Sequence, residues 1–500
     1  MTKPPISTNP QSVPVFGQAS LAEGNAESNK ESLEHLQTGF ELHQDGRIEE
    51  ALALYHQILE QESENADAFY LAGVAYFQVH DYVQSELYLE TALALEPGRS
   101  DILINLGNCR HAQSRLEEAL EAYSQAITTD PNIAEAHNNY GNILRELGRF
   151  DEAESALRQA LRLKPDHLPA RSNLAGTLRS LGQLEDAEAE ARKTLDLDPD
   201  FDPALTTLGR ILLDGGKTDD AIEAFEKAMQ LNPDDLSPHI SLANIWHQRG
   251  DLEKSLSIFD SHLSQNPHET LVLSAKALLL NEIGGAGRAK ALLDYERFIK
   301  PVKFDRAPNY ESLDRFHTAL RAHVEQLPDL TFEPLLKSTR QGYQAEQLER
   351  DESAPVEALK EIIAQGVEQY CAQCETISDH PLAPIPDDLS ITIWVTILEG
   401  PGHQNPHIHP SAWLSGVYYV NLPEIMEKNK EGHAGWIEFG QPRDEDKYKA
   451  EPLLYTVQPE EGLMVMFPSY MFHRTIPVND SPAQSSTDKR ISIAFDVMAR

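Results

Sequence analysis

Five residues of this chain could do chemistry together: His407 and His409 at alternate positions, His473, and Arg490 with Ser492. In an extended strand, residues i and i+2 point the same way, roughly 6–7 Å apart. His407 and His409 can therefore converge on one ion. A third ligand must come from elsewhere, and His473 enters another extended run, Phe467-Pro-Ser-Tyr-Met-Phe-His473-Arg-Thr-Ile-Pro477. Imidazole suits iron, zinc, copper or nickel, and three facial ligands leave positions open for a small molecule. Alternation also puts Arg490 and Ser492 on one face. An inward guanidinium needs an anion, because an unpaired buried charge is costly. A carboxylate accepts two parallel bonds from it, and Ser492 can add a third. Tyr419 shares the parity of His407 and His409 and is assigned to the same cavity. Glu438 is the alternative carboxylate near the site. His403 and His433 lack the pattern and read as solvated loop residues. Cys371 and Cys374 have metal-like spacing, but they lie in a helical pattern with no second pair and read as structural.

These residues need a rigid frame. Beyond the Pro-rich break at 379–387, short apolar runs at 390–398, 413–420, 435–439, 462–467, 472–477 and 490–497 are divided by Gly, Pro, Asn and Asp. Many short strands at this spacing predict a sandwich or barrel of jelly-roll type. Helical patterns over 310–325 and 355–374 would pack outside it. A long insertion at 479–488 separates His473 from Arg490.

The first three-fifths of the chain are periodic. Gly39, Gly73, Gly107, Gly141, Ala175, Gly209, Ala243 and Ala277 recur every 34 residues. So do Ala51, Ser85, Ala119, Ala153, Ala187, Ala221, Ser255 and Ala289, and a third series running from Ser63 and Pro97 to Pro301. Small residues let paired helices approach closely, and proline ends the second helix of each pair. This pattern resembles the tetratricopeptide repeat (TPR) in about eight copies over 32–303. The resemblance implies a superhelix whose first helices line a concave groove. One position there carries Asn105, Asn139 and Asn173, then Thr207 and Ser241. A side-chain amide can donate to a peptide carbonyl and accept from its N–H, so the ladder could grip an extended peptide. The other reading is that these groups bond neighbouring helices.

The last third has its own resemblance. His407-Ile-His409-Pro, Leu414-Ser-Gly-Val-Tyr-Tyr419, Gly462-Leu-Met-Val-Met-Phe467-Pro-Ser, His473 and Arg490-Ile-Ser-Ile-Ala-Phe495 resemble the 2-oxoglutarate/Fe(II) oxygenases of the prolyl-hydroxylase-like group, over roughly 305–500. The stretch Ser338-Thr-Arg-Gln-Gly-Tyr343, read as helical, before Val356-Glu-Ala-Leu-Lys360 is similar to that family's lead-in. The resemblance implies Fe(II) held by His407, His409 and His473. It also implies 2-oxoglutarate held at its far carboxylate by Arg490 and Ser492, with Tyr419 beside them. The wider superfamily has His-x-Asp or His-x-Glu; here His409 stands in place of the carboxylate, leaving the site one charge more positive.

The expected architecture is multidomain α + β: a tail over 1–31, an α-solenoid of TPR hairpins over 32–303, a helical connector over 304–388, and a double-stranded β-helix (jelly-roll) core over 389–500. The expected function is a 2-oxoglutarate- and Fe(II)-dependent dioxygenase hydroxylating a protein or peptide captured by the repeats. Two alternatives are a TPR interaction scaffold with an inactive oxygenase-like domain, and a cupin-like metal enzyme without 2-oxoglutarate. A formal net charge of -38 disfavours nucleic acid and anionic membrane and favours a basic partner. The 1–31 tail, rich in Ser, Pro, Asn and Gln, reads as disordered. Three cysteines suit a reducing, cytoplasmic setting. No apolar run long enough to span a bilayer and no secretory signal is seen.

Overall fold

The computed structural model describes residues 26–334, 337–377, 380–423, 426, 433–443, 446, 448–477 and 489–499. Most of the expected tail and the expected 479–488 insertion lie outside the described residues. The first helix already begins at Ala26. Two compact units are formed, Met1–Ser241 and Leu242–Arg500.

The first unit is an α-solenoid of paired helices, as in Ala134–Glu146 followed by Phe150–Leu163. The 34-residue small positions work as expected. A Cβ on Gly107 would lie 2.5 Å from the Tyr123 ring, and one on Gly209 would lie 2.6 Å from Phe225. Only glycine lets those rings seat against the first helix. The alanines of the second series, such as Ala119, Ala153 and Ala187, are fully buried. A further period-34 feature ends each first helix: Gly46, His80, Ser114, Gly148, Gly182, Gly216 and Gly250 all have positive φ. At Gly148 the turn closes through its N–H to the Arg145 carbonyl (3.1 Å) and the Arg149 N–H to the Leu144 carbonyl (2.8 Å). Such left-handed caps satisfy carbonyls that the helix leaves unpaired.

The second unit begins with the last repeats, where regularity fades. The helix Thr270–Leu293 is kinked at Gly285. Pro301, expected to end a repeat helix, instead sits in strand β1 (Lys300–Lys303). The helices Leu313–Val324 and Ala354–Cys374 lie where helical patterns were expected. The remaining strands are β2 (Thr331–Phe332), β3 (Thr339–Ala345), β4 (Leu389–Gln404), β5 (Leu414–Asn421), β6 (Ile437–Phe439), β7 (Tyr455–Val457), β8 (Leu463–Pro468), β9 (His473–Thr475) and β10 (Lys489–Ala499). They form two sheets, in the orders β1-β8-β5-β10-β4-β3-β2 and β7-β6-β9, and neighbouring strands pair antiparallel. The helical reading of Ser338–Tyr343 is corrected: this is β3, paired along β4. Gly342 brings the chains together there, since a Cβ would meet the Ile397 carbonyl at 2.8 Å. A short polar run carries no periodicity that separates helix from strand, and the partner strand decides.

Two expectations come from packing. Gly107→Ala should lose about 1–3 kcal/mol of stability by displacing Tyr123. Gly176→Ala, whose Cβ would meet nothing within 4 Å, should gain about 1 kcal/mol from helix propensity. Urea unfolding reads both. In the second unit, buried His317 bonds the Tyr418 hydroxyl at 2.8 Å, and burial pushes its pKa down to about 4 from a usual 6.5. Protonation therefore favours the unfolded chain. Its contribution is full above pH 6.5 and is lost as pH falls to about 4, up to about 3 kcal/mol. His317→Gln should flatten that part of the stability–pH curve, and an unchanged slope would contradict the assignment.

Candidate metal centre

Backbone pairing brings the three histidines together. His407 and His473 exchange N–H to carbonyl bonds, each 3.0 Å, as a bridge between a loop and the start of β9. The His409 N–H donates to the Ser469 carbonyl at 3.2 Å. His407 and His409 thus lie in the loop joining β4 to β5, not within a strand as the alternation argument assumed. Their convergence comes from these cross-links. Behind the loops, Ile408 and Phe472 cluster with Leu278 of the Thr270–Leu293 helix, and Thr270 Oγ1 donates to the Ala412 carbonyl at 3.1 Å. One ligand-bearing atom from each histidine lies within 4.8 Å of the other two. Ring centroids are 4.2 Å apart for His407–His473, 5.0 Å for His409–His473 and 5.2 Å for His407–His409.

The tautomers can be deduced. His407 Nδ1 lies 2.8 Å from the Asn405 carbonyl, His473 Nδ1 3.1 Å from the Met471 carbonyl, and His409 Nδ1 2.5 Å from Asp496 Oδ1. Each partner oxygen accepts, so each Nδ1 carries a proton, and in the neutral ring Nε2 then keeps its lone pair. That is the arrangement a metal-binding imidazole requires. Burial and the neighbouring rings hold His407 down to about 3 and His473 well below its ordinary value. Both are neutral at physiological pH, as ligation demands. The only other group on these Nε2 atoms among the described residues is the Ser338 hydroxyl, 3.3 Å from His407.

Asp496 was not singled out from sequence. It also accepts from Ser415 Oγ at 2.6 Å, and Ser415 lies 2.8 Å from Ser469 Oγ. The signal was available: Asp496 shares the parity of Arg490 and Ser492 on one strand. The charge absent at His409 is thus present one bond behind it. Glu438 is not a ligand here, because its carboxylate accepts from Arg474 Nε at 2.6 Å. His403 and His433 lie outside the cluster. Cys374 is a buried free thiol 3.5 Å from His380.

Arg490, Ser492 and Tyr419 line the same cavity as the three histidines. The register explains it: Ser492 is opposite Tyr419 on β5 and Thr396 on β4. Arg490 is 5% exposed and has no carboxylate partner among the described residues. Its Nη1 donates to the Gly435 carbonyl at 2.8 Å, and its guanidinium carbon lies 5.2 Å from the Tyr419 ring centre. Burial lowers its pKa, partly opposed by Tyr419. Arg490 Nε, Tyr419 Oη and Thr396 Oγ1 are all buried without a hydrogen bond of acceptable geometry. A buried cation with its own Nε orphaned, beside two orphaned hydroxyls, suits a small anionic ligand, since each unmade bond costs about 1–3 kcal/mol. The residues present therefore fit both a divalent metal and an oxyacid.

In the first unit the asparagine ladder turns partly inward on itself. Asn105 Nδ2 donates to the Tyr70 hydroxyl (3.1 Å), Asn139 Nδ2 to Asn108 Oδ1 (3.1 Å) and Asn173 Nδ2 to Asn138 Oδ1 (2.9 Å). The ladder links neighbouring first helices, and its residues remain half-buried.

A family model described as "Putative 2OG-Fe(II) oxygenase" matches residues 392–496, the span that holds the three histidines, Tyr419, Arg490, Ser492 and Asp496. Tetratricopeptide repeat models match 41–83, 98–166, 144–212 and 212–279. No curated protein matches the chain. Among solved structures, it is similar to YrrB, a TPR protein with an unusual peptide-binding site (19% identity, 37% of this chain, 96% of that one, TM-score 0.31). It is also similar to a thermophilic TPR protein of Thermus thermophilus (26%, 36%, 99%, 0.32) and a tetratricopeptide repeat protein of Parabacteroides merdae (16%, 47%, 93%, 0.42). The chain carries tetratricopeptide repeats within 41–279, followed at 392–496 by a domain of the 2OG-Fe(II) oxygenase family.

Proposed function

We propose that the chain is a 2-oxoglutarate- and Fe(II)-dependent dioxygenase that hydroxylates a protein or peptide substrate captured by its repeats. The observation that carries this reading is the pairing, in one cavity, of three converging imidazoles and a buried arginine that has no carboxylate partner among the described residues. When bound, Fe(II) with 2-oxoglutarate and dioxygen supplies the oxidising equivalents for C–H hydroxylation, with succinate and carbon dioxide as co-products.

The protein's part is positional and electrostatic. His407, His409 and His473 hold the metal through Nε2, and their Nδ1 bonds fix ring orientation. Asp496 adds a negative charge behind His409 and offsets the absence of a carboxylate ligand. Arg490 and Ser492 receive the far carboxylate of 2-oxoglutarate, and Tyr419 Oη donates to it or to a water beside it. Binding an anion there relieves the desolvation of Arg490. The repeats raise the effective concentration of a tethered substrate, with Asn105, Asn139 and Asn173 as candidate backbone contacts.

One feature favours a second reading. The cluster contains three imidazoles and no carboxylate, which suits a TPR scaffold bearing an inactive oxygenase domain. That reading expects partner binding indifferent to metal and 2-oxoglutarate.

Two experiments separate them. Under anaerobic conditions, Fe(II) followed by 2-oxoglutarate should give a weak visible charge-transfer band in the wild type. Arg490→Ala should bind iron without the band, and His473→Ala should bind neither normally. A band of full strength in Arg490→Ala, or no iron binding by folded wild type, would sink the proposal. Asp496→Asn keeps an acceptor for His409 Nδ1 but removes the charge, and should weaken metal affinity about 10–100-fold. Titration with Co(II), a spectroscopic stand-in, measures this without turnover; unchanged affinity would mean that Asp496 is only a packing partner.

A further inference from the structure

The repeats contain a cluster of three arginines, two of which have no ion-pair partner among the described residues. First helices of successive repeats are joined by a side-chain pair whose members are 35 residues apart. His111 bonds Glu146 at 3.0 Å, and Arg179 bonds Asp214 at 2.6 Å. In the second unit His247 bonds Glu282 at 2.9 Å in the same way. Arg145 occupies this column between the first two, and the residue 35 positions on is Ser180. Ser180 is engaged with its own helix, donating to the Gly176 carbonyl at 3.1 Å. The column therefore lacks one carboxylate, at Arg145.

Nothing else among the described residues replaces it. Arg145 Nη2 donates to Asn142 Oδ1 at 2.8 Å, and its Nε is buried without a partner. Arg210, one turn away on the helix Asp202–Asp214, donates to Ser237 Oγ. Neither arginine has an ion-pair partner among the described residues. The nearby acids are occupied or offset: Glu146 by His111 and Asn142, Asp214 by Arg179, and Asp235 as an acceptor for the Ser237 N–H. Desolvation, and after it repulsion from the neighbouring arginines, depresses the pKa of Arg145 and Arg210, opposed by Glu146 and Asp235. On the middle helix of the three, Leu168–Ser180, is Gly176. It is three residues before Arg179 and in register with Asn142 and Arg210, and a Cβ built on it meets nothing within 4 Å. Three successive first helices thus each carry an arginine near this level, with open space over Gly176 on the middle one.

We propose that this face, around Gly176, binds a carboxylate side chain of an acidic peptide segment. The assignment deepens the reading that the repeats capture a peptide and rests on that reading. It does not depend on iron binding at the histidines. It also differs from the partner expected from net charge: the overall field attracts cations, but the half-buried groups without an ion-pair partner here are arginines, which a carboxylate satisfies by paired bonds. At about 0.15 M salt the general repulsion is screened beyond roughly 8 Å, while contact pairs persist.

The test uses the full chain and three labelled peptides of equal length, with Glu, Gln or Lys at alternate positions, read by fluorescence anisotropy. The Glu peptide should bind best. Its affinity should fall at least about tenfold in Arg145→Gln/Arg210→Gln and stay unchanged in Arg158→Gln, an exposed arginine paired with Glu154 on the helix Phe150–Leu163. A second pair of variants needs no peptide to fold or bind. Gly176→Glu places a carboxylate among the arginines and should melt at higher temperature than Gly176→Gln, besides blocking the Glu peptide. Equal melting of the two, or no binding of the Glu peptide, overturns the proposal. If the Gln or Lys peptide binds instead and is lost in Asn139→Ala/Asn173→Ala, peptide capture stands and the carboxylate site alone falls. If none binds, both fall.

Discussion

Two backbone hydrogen bonds exchanged by His407 and His473 hold the candidate centre together. They pin the β4–β5 loop to the start of β9, and with the His409 N–H on Ser469 they place three rings around one point. Nothing in the side chains alone would do this, because isolated imidazoles in water do not converge. Convergence and dehydration come from the loops being laced together and backed by Leu278, Ile408 and Phe472. The same burial that depresses His407 and His473 makes them competent ligands, so packing and chemistry here are one property.

A second constraint is charge. The chain is strongly acidic overall, yet several cations lack an acidic partner among the described residues. Arg490 lines the cavity without a carboxylate, and half-buried Arg145 and Arg210 in the solenoid bond only neutral side chains. A folded chain tolerates such groups only where solvent or a ligand completes them. Net charge describes the far field, while these residues set the charge at contact, and the two differ in sign. At the candidate metal centre the carboxylate is likewise displaced: where a His-x-Asp site would place it on the metal, Asp496 stands here behind His409.

Much of the fold was legible because periodicity is a local property. Small residues every 34 positions mark where helices touch, and prolines mark where second helices stop. The left-handed series from Gly46 to Gly250 was equally periodic but less visible, since His80 and Ser114 fill two of its places. Strands β4, β5, β8 and β10 were legible as apolar runs between turns. β3 was not, because a short polar strand takes its identity from the neighbours it pairs with, here β4 and β2. Pro301 was misread for the same reason, as the repeat yields to strand pairing with β8.

By itself the sequence determined which residues could act: three histidines, an arginine and serine in alternation, a tyrosine of matching parity, and a repeat of strict period. Side-chain chemistry is written residue by residue, and strand parity held for Arg490 and Ser492, though not for His407 and His409, which lie in a loop. The tertiary structure alone decided how they act. It chose which nitrogen of each histidine is free, put Asp496 behind His409 across 87 residues, paired Glu438 with Arg474, and turned the asparagine amides toward neighbouring helices. It also left Arg145 without the acid its column supplies elsewhere. Those outcomes depend on distances between segments far apart in the chain, and no local pattern encodes a distance.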